Sequence, residues 1–334
     1  MAYEEAQEII EGKADDLEEE ILFMDKIAKI YRDKRMKKGA IDFNSEEMRF
    51  ELDEQGNPVK TYVKIAKDAN KLIEEFMLLA NRKVAEHIGK RKKGEDIIPF
   101  IYRVHGKPKM EKILLFKTFI EKFGYDLEST SPDHIAMSLN KLLEDVRYAN
   151  EAGIIQNMAI RAMEKATYET TNLGHYGLGF EYYTHFTSPI RRYADLMVHR
   201  ILQNELTHVP RKYGSELGDM AKLISRNERK AVEAERDSNK YFQVLLMKDR
   251  VGQEFDGTIS GLAEFGLFIR ITENYCEGMI PLAEIPGDRF YFDLENYYII
   301  GAKTGKEFNF GDKVRVLVKS VDTYKKQINF ELVE

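Results

Sequence analysis

The hydrophobic period of this chain changes near Val251, and that change limits what the chain can fold into. Before it, apolar residues recur at helical spacing. Leu17, Ile21, Met24, Ile27, Ala28 and Tyr31 share one face of a helix predicted over 17–38. Residues 69–88 repeat the pattern, and Ser131-Pro132-Asp133 is a capped start for a helix reaching about Tyr148. A long helix is expected over 215–249. Residues 47–65 read as a hairpin, with Gln55-Gly56-Asn57-Pro58 turning 48–52 into 59–65. After Val251 the chain alternates in five short segments, 255–260, 266–271, 277–281, 313–321 and 327–332, separated by Gly, Asp and Asn turns. Five strands in so short a stretch suggest a small closed barrel. The expected class is α+β: a helix-rich domain over 1–249, then a five-stranded barrel over 250–334.

The chemistry concentrates in the run Tyr183-Thr184-His185-Phe186-Thr187-Ser188-Pro189-Ile190-Arg191-Arg192-Tyr193-Ala194-Asp195, which continues to Arg200. It reads as an aromatic, polar segment turning into a helix, with Ser188 as N-cap and Pro189 at the first helical position. Arg191 and Arg192 would then sit in the first turn, where the helix dipole disfavours cations. A bound anion would offset that cost, since free N–H groups and guanidinium forks together make a phosphate clamp. Pairing of both arginines with acidic side chains elsewhere is the other reading, and spacing leaves both open.

Composition sets outer limits. The chain has 334 residues, 51 Lys and Arg against 57 Asp and Glu, and a net charge of −6. An acidic balance is mildly against nonspecific nucleic-acid binding but compatible with a few placed cations in an enclosed channel. A single cysteine, Cys276, rules out an internal disulfide and fits a reducing cytoplasm. There is no apolar stretch long enough to span a bilayer.

His175-Tyr176-Gly177-Leu178 followed by Tyr183 to Arg200 resembles the RNB catalytic domain of the ribonuclease II and ribonuclease R exoribonucleases, ribonuclease R more closely. Gly39-Ala40-Ile41-Asp42-Phe43, the run from Leu72 to Asn81, and Tyr102-Arg103-Val104-His105 resemble the same family in the same order. Gly257 to Gly261, Phe265-Gly266-Leu267-Phe268, Glu277 to Pro281 and Gly311-Asp312-Lys313-Val314 resemble an S1-type RNA-binding domain, an OB-fold barrel.

The resemblance implies a 3′→5′ hydrolytic exoribonuclease that degrades single-stranded RNA to nucleoside 5′-monophosphates. Family members hold catalytic magnesium through an aspartate cluster near the start of the domain. This chain opens on sequence resembling the family downstream of that cluster, so no metal ligand is assigned. Magnesium and a missing N-terminal segment or subunit are expected of the complete enzyme. Asp15-Asp16 lies in an acidic stretch, 15–20, that reads as a solvated helix start. A non-catalytic RNA-binding fragment is the alternative function, and a cytoplasmic monomer without membrane contact is expected.

By the same resemblance, Arg191 stabilises the scissile phosphate and Glu235 sits near the reacting nucleotide. Spacing alone favours the other reading of Glu235, a pair partner of Lys230 or Asn239 on an exposed helix. Tyr3 would touch a terminal ribose, Phe43 would stack on the last base, and Glu74 would accept from a ribose 2′-OH, which only RNA offers. Glu74 and Glu75 are helical neighbours, so only one can face the site. Arg192 and Asp195 read as support, Asp195 orienting Arg191, and His199 as structural. On the barrel, Phe265, Phe268 and Tyr291 are the expected base-stacking platform, because a small barrel needs few aromatics inside. Phe290 fits surface and core equally.

Overall fold

The helix predicted at 17–38 forms as α2 (Glu18–Lys37), acidic in its first turn and basic in its last, which complements the helix dipole. Asp15 and Asp16 lie exposed just before it. The structure, a computed structural model, describes residues 1–43, 47–92, 97–149, 151–209, 214, 216–294 and 297–333. Ser215 and Glu334, the expected start of the long helix and end of the barrel domain, lie outside the described residues.

The first body is helical. It contains α1 (Tyr3–Ile10), α2, the hairpin β1 (Glu47–Leu52) and β2 (Pro58–Lys64), and α3 (Asp68–Gly89). Next come β3 (Tyr102–Val104), α4 (Met110–Glu121), α5 (Pro132–Asp145), α6 (Ala152–Ala162), β4 (Thr167–Glu169) and α7 (Tyr193–Leu206). At α5 the capping signal acts as expected: Ser131 Oγ accepts the His134 N–H, and Pro132 occupies the first turn. Two apolar cores form. One joins α4, α5 and α6 through Ile113, Phe116, Ile135, Leu139 and Ile155. The other joins α3, β3 and α7 through Ile88, Val104, Val198 and Ile201.

The long helix α8 (Glu216–Met247) leaves this second core through Leu217 and Ala221. At about 1.5 Å per residue its 32 residues span about 48 Å. Its far end does not stop at a domain boundary. Val244, Leu246 and Met247 are buried in the barrel's own core. One helix is thereby packed into both bodies.

The barrel is closed in the order β11-β12-β7-β6-β5. Its strands are β5 (Glu254–Ala263), β6 (Gly266–Ile271), β7 (Glu277–Pro281), β11 (Lys313–Asp322) and β12 (Gln327–Leu332), matching the five alternating segments of the sequence. Ile259, Leu267, Ile269, Ile280, Val316 and Phe330 fill it and are fully buried. Gly278 is needed because a Cβ there would lie 2.5 Å from the Phe330 ring. Between β7 and β11 the chain inserts a three-stranded sheet that alternation alone did not reveal: β8 (Phe290–Asp293), β9 (Tyr298–Gly301) and β10 (Glu307–Phe308). Phe290 belongs to the barrel core at 7% exposure, which resolves its two readings in favour of the interior.

Candidate functional site

Three motifs that lie far apart in sequence meet around the 175–180 segment. The Gly177 N–H donates to His105 Nδ1 at 2.9 Å, so the imidazole proton sits on Nε2, facing the Glu164 carbonyl at 2.7 Å. Gly177 offers its carbonyl to the Ile41 N–H at 2.9 Å, tying in the Gly39–Asp42 stretch. A Cβ at Gly177 would fall 2.8 Å from His105 Nδ1, so glycine alone permits this approach. From the long helix α3, buried Asn81 accepts the Phe186 N–H at 2.9 Å and the Thr187 N–H at 3.2 Å, and donates to Tyr183 Oη at 3.1 Å. Asn81 thus holds the loop before the arginines. It lay within a matching motif but carried no role in the sequence, because its hydrogen bonds span more than a hundred residues.

The arginines differ from expectation in placement. Ser188 does not cap a helix at Pro189. Its carbonyl closes a turn with the Arg191 and Arg192 N–H groups, and α7 begins at Tyr193 with Arg192 as its capping residue. Arg191 and Arg192 therefore precede the helix. Asp195 is fully buried and accepts the Ser188 N–H and the Arg192 guanidinium, both at 2.8 Å. It orients Arg192, not Arg191, because the turn carries Arg191 outward. Arg191 is exposed and has no ion pair among the described residues. His199 Nε2 faces the Phe186 carbonyl at 2.9 Å, and its ring stacks on Phe186 at 4.1 Å.

Arg191, Arg192 and Glu235 line one cleft of about 540 Å³, together with Tyr168, Tyr193 and Asn227. Glu228, also on its wall, is engaged by Arg103 at 2.6 Å, whereas Glu235 is unpaired among the described residues. Tyr3, Glu74 and Arg192 line a second cleft of about 260 Å³. Arg192 is common to both. Glu74 and Glu75 divide as neighbours on a helix must. Glu75 is 3% exposed and bonded to buried Arg35, while Glu74 is half exposed in the cleft, 3.9 Å from Arg35. Burial in the cleft pushes the Glu74 carboxyl up, with Arg35 opposing. Phe43 lines neither cleft and is half-buried against the α4–α6 core.

A third and larger cleft, about 610 Å³, lies on the barrel and holds Phe265 and Phe268 beside Lys240, Arg270 and Lys326. The two rings meet edge-on at 5.9 Å. Tyr291 is exposed but sits on the inserted sheet, opposite Ile300 of β9, and does not line this cleft. Of the three aromatics expected to form a platform, this cleft holds Phe265 and Phe268.

Among the described residues no group of three or more His, Cys, Asp or Glu side chains is placed to hold a metal ion. The described residues do not fit a magnesium centre. No described helix is long and apolar enough to cross a membrane.

Around the first cleft burial neutralises the histidines. It drives His185 down to about 2, with Arg192 and Arg103 adding to the effect, and His175 down to about 3, with His105 and Arg103 adding. Both rings stay neutral in the folded chain and take up protons near 6.5 on unfolding. Below that value the unfolded state binds more protons, so stability falls as pH drops. The expected loss between pH 6.5 and 5 is up to about 1.4 kcal/mol per pH unit for each ring. Urea unfolding at pH 7 and pH 5.5 measures it, and His185→Asn should remove about one proton from the slope. A stability flat across this window would show that the rings are charged when folded.

A helical body with two adjacent arginines lining its clefts, joined by one helix to a closed five-stranded barrel, defines an RNB-type architecture. The chain belongs to the RNB family: the RNB domain matches residues 1–208, and the S1 RNA binding domain matches residues 248–332. It is similar to ribonuclease R from Aquifex aeolicus, at 35% identity over all of this chain and 48% of that protein. Ribonuclease R from Thermotoga maritima is 36% identical, again over all of this chain and 48% of that protein. Among solved structures, Mycoplasma genitalium RNase R in complex with ribose methylated single-stranded RNA superposes with a TM-score of 0.88 at 28% identity. The match covers 99% of this chain and 53% of that one. The chain spans about half the length of the curated relatives it matches.

Proposed function

We propose that this chain is the substrate-positioning part of a ribonuclease R-type 3′→5′ exoribonuclease, which shortens single-stranded RNA hydrolytically to nucleoside 5′-monophosphates in the cytoplasm. The observation that carries the reading is the pair of adjoining clefts. Arg191 and Glu235 face one, Tyr3 and Glu74 the other, and Arg192 joins them. An exposed, unpaired guanidinium beside an anchored one suits a phosphodiester whose charge grows in the transition state. Glu74, pushed up toward its protonated form, can hydrogen-bond a ribose 2′-OH in either state. The barrel would hold the incoming strand by stacking. The RNA complex of the Mycoplasma relative supports the choice of ligand. In this reading magnesium and its ligands come from outside the described residues, and no step is assigned to it.

The test joins this chain to the N-terminal half of Aquifex aeolicus ribonuclease R. The chain alone should bind labelled single-stranded RNA without shortening it in magnesium, and the joined protein should ladder the RNA from its 3′ end. Arg191→Lys in the joined protein should lower kcat by about 100-fold, the usual scale for a lost transition-state donor, and leave binding nearly intact. Lysine keeps the charge but loses the fork. Laddering by the chain alone, or binding that falls in step with rate, would overturn the assignment.

A further inference from the structure

The cleft on the barrel is not made by the barrel alone. Met48 and Val63, on the β1–β2 hairpin of the RNB body, line it together with Phe265 and Phe268 of the barrel. They are direct cross-strand partners, so strand alternation puts both on one face of the hairpin. The next pair on that face, Phe50 and Thr61, anchors it. Phe50 packs on Phe242 of α8 at 5.5 Å, and buried Thr61 donates to the Asn274 carbonyl of the barrel at 2.7 Å. The opposite face, with Arg49, Lys60 and Tyr62, is exposed. An isolated two-stranded hairpin has little stability of its own, so this docking fixes where its apolar face points.

We propose that Met48 and Val63 form the second wall of the strand-binding cleft, turning an open S1-type surface into a slot that selects unpaired bases. The proposal rests on the RNA-binding reading above and deepens it. On one side stand Phe265, 62% exposed, and Phe268, whose faces accept any base. On the other stand an aliphatic side chain and a thioether, which pack well on flat aromatic surfaces. Lys240, which also lines the cleft, makes no ion pair among the described residues and feels only the nearby Asp237 carboxylate, so it can offer its charge to a phosphate. Unpaired bases can enter between two apolar walls. Bases stacked within a duplex cannot, so the choice of single strands is made here, before the strand reaches Arg191.

The experiment uses the whole chain, a labelled oligouridylate, and a blunt RNA duplex, read by fluorescence anisotropy. Met48→Ala/Val63→Ala should weaken oligouridylate binding about tenfold and leave duplex binding unchanged, narrowing the preference. Thr61→Val, which cuts the tether but keeps the side-chain size, should act in the same direction more weakly. Phe265→Ala/Phe268→Ala is the reference. If it weakens binding while the two hairpin variants do not, the second wall is wrong and the RNA reading stands. If the hairpin variants lower single-strand and duplex binding equally, selection is wrong. If none of the three changes binding, the strand does not run through this cleft and the proposal fails, and if the parent chain binds no oligouridylate the RNA reading fails as well.

Discussion

Arg35→Met should lower the stability of this chain by about 3–5 kcal/mol, the cost of leaving one partner of a buried ion pair charged and alone. Arg35 and Glu75 are 6% and 3% exposed and bonded to each other, linking α2 to α3 behind the Glu74 cleft. Water cannot reach Glu75 to replace the guanidinium. The double variant Arg35→Met/Glu75→Leu should recover most of the loss, because two apolar side chains of similar volume remove the stranded charge. Urea midpoints of the three proteins decide it. A single variant within about 1 kcal/mol of the parent, the scale of surface pairs, would mean that the site is wetter than its burial indicates. The Arg32–Asp42 pair is the internal contrast. Its partners are 21% and 39% exposed, and its removal should cost less than about 1 kcal/mol.

Phe265→Ala/Phe268→Ala should weaken single-stranded RNA binding by the whole chain at least about tenfold, since stacking contributes about 1–3 kcal/mol per base. Phe265 sits at the turn between β5 and β6 and is mostly exposed, so its loss removes little from the barrel interior. Phe268 is half-buried and touches the backbone face of Gly261, whose missing Cβ leaves it room. Anisotropy titrations at two salt concentrations separate the contributions. Salt should weaken the parent and the variant alike, because the phosphate contacts remain. A folded double variant with unchanged affinity would place the bases elsewhere, and Tyr291 on the inserted sheet would be the next ring to replace.

The sequence by itself determined the elements whose signals are local. Hydrophobic period separated the helical body from the barrel and located all five barrel strands, because side-chain alternation records directly which face is buried. Ser131-Pro132 marked the start of α5 because a cap and its acceptor are three residues apart. The motif resemblance named the family and the arginines. The tertiary structure decided what depends on partners remote in the chain. Asp195 reads as a neighbour of Arg191, yet a turn closed by the Ser188 carbonyl moves Arg191 out and leaves Asp195 on Arg192. Phe43 and Tyr291 carry the right rings, but core packing half-covers one and an inserted sheet carries the other away from the cleft. Met48 and Val63 look like ordinary hairpin residues until the Thr61 hydroxyl finds the Asn274 carbonyl 213 residues away. Period and capping are written within a few residues, whereas the shape of a cleft is set by which distant backbones hydrogen-bond across it.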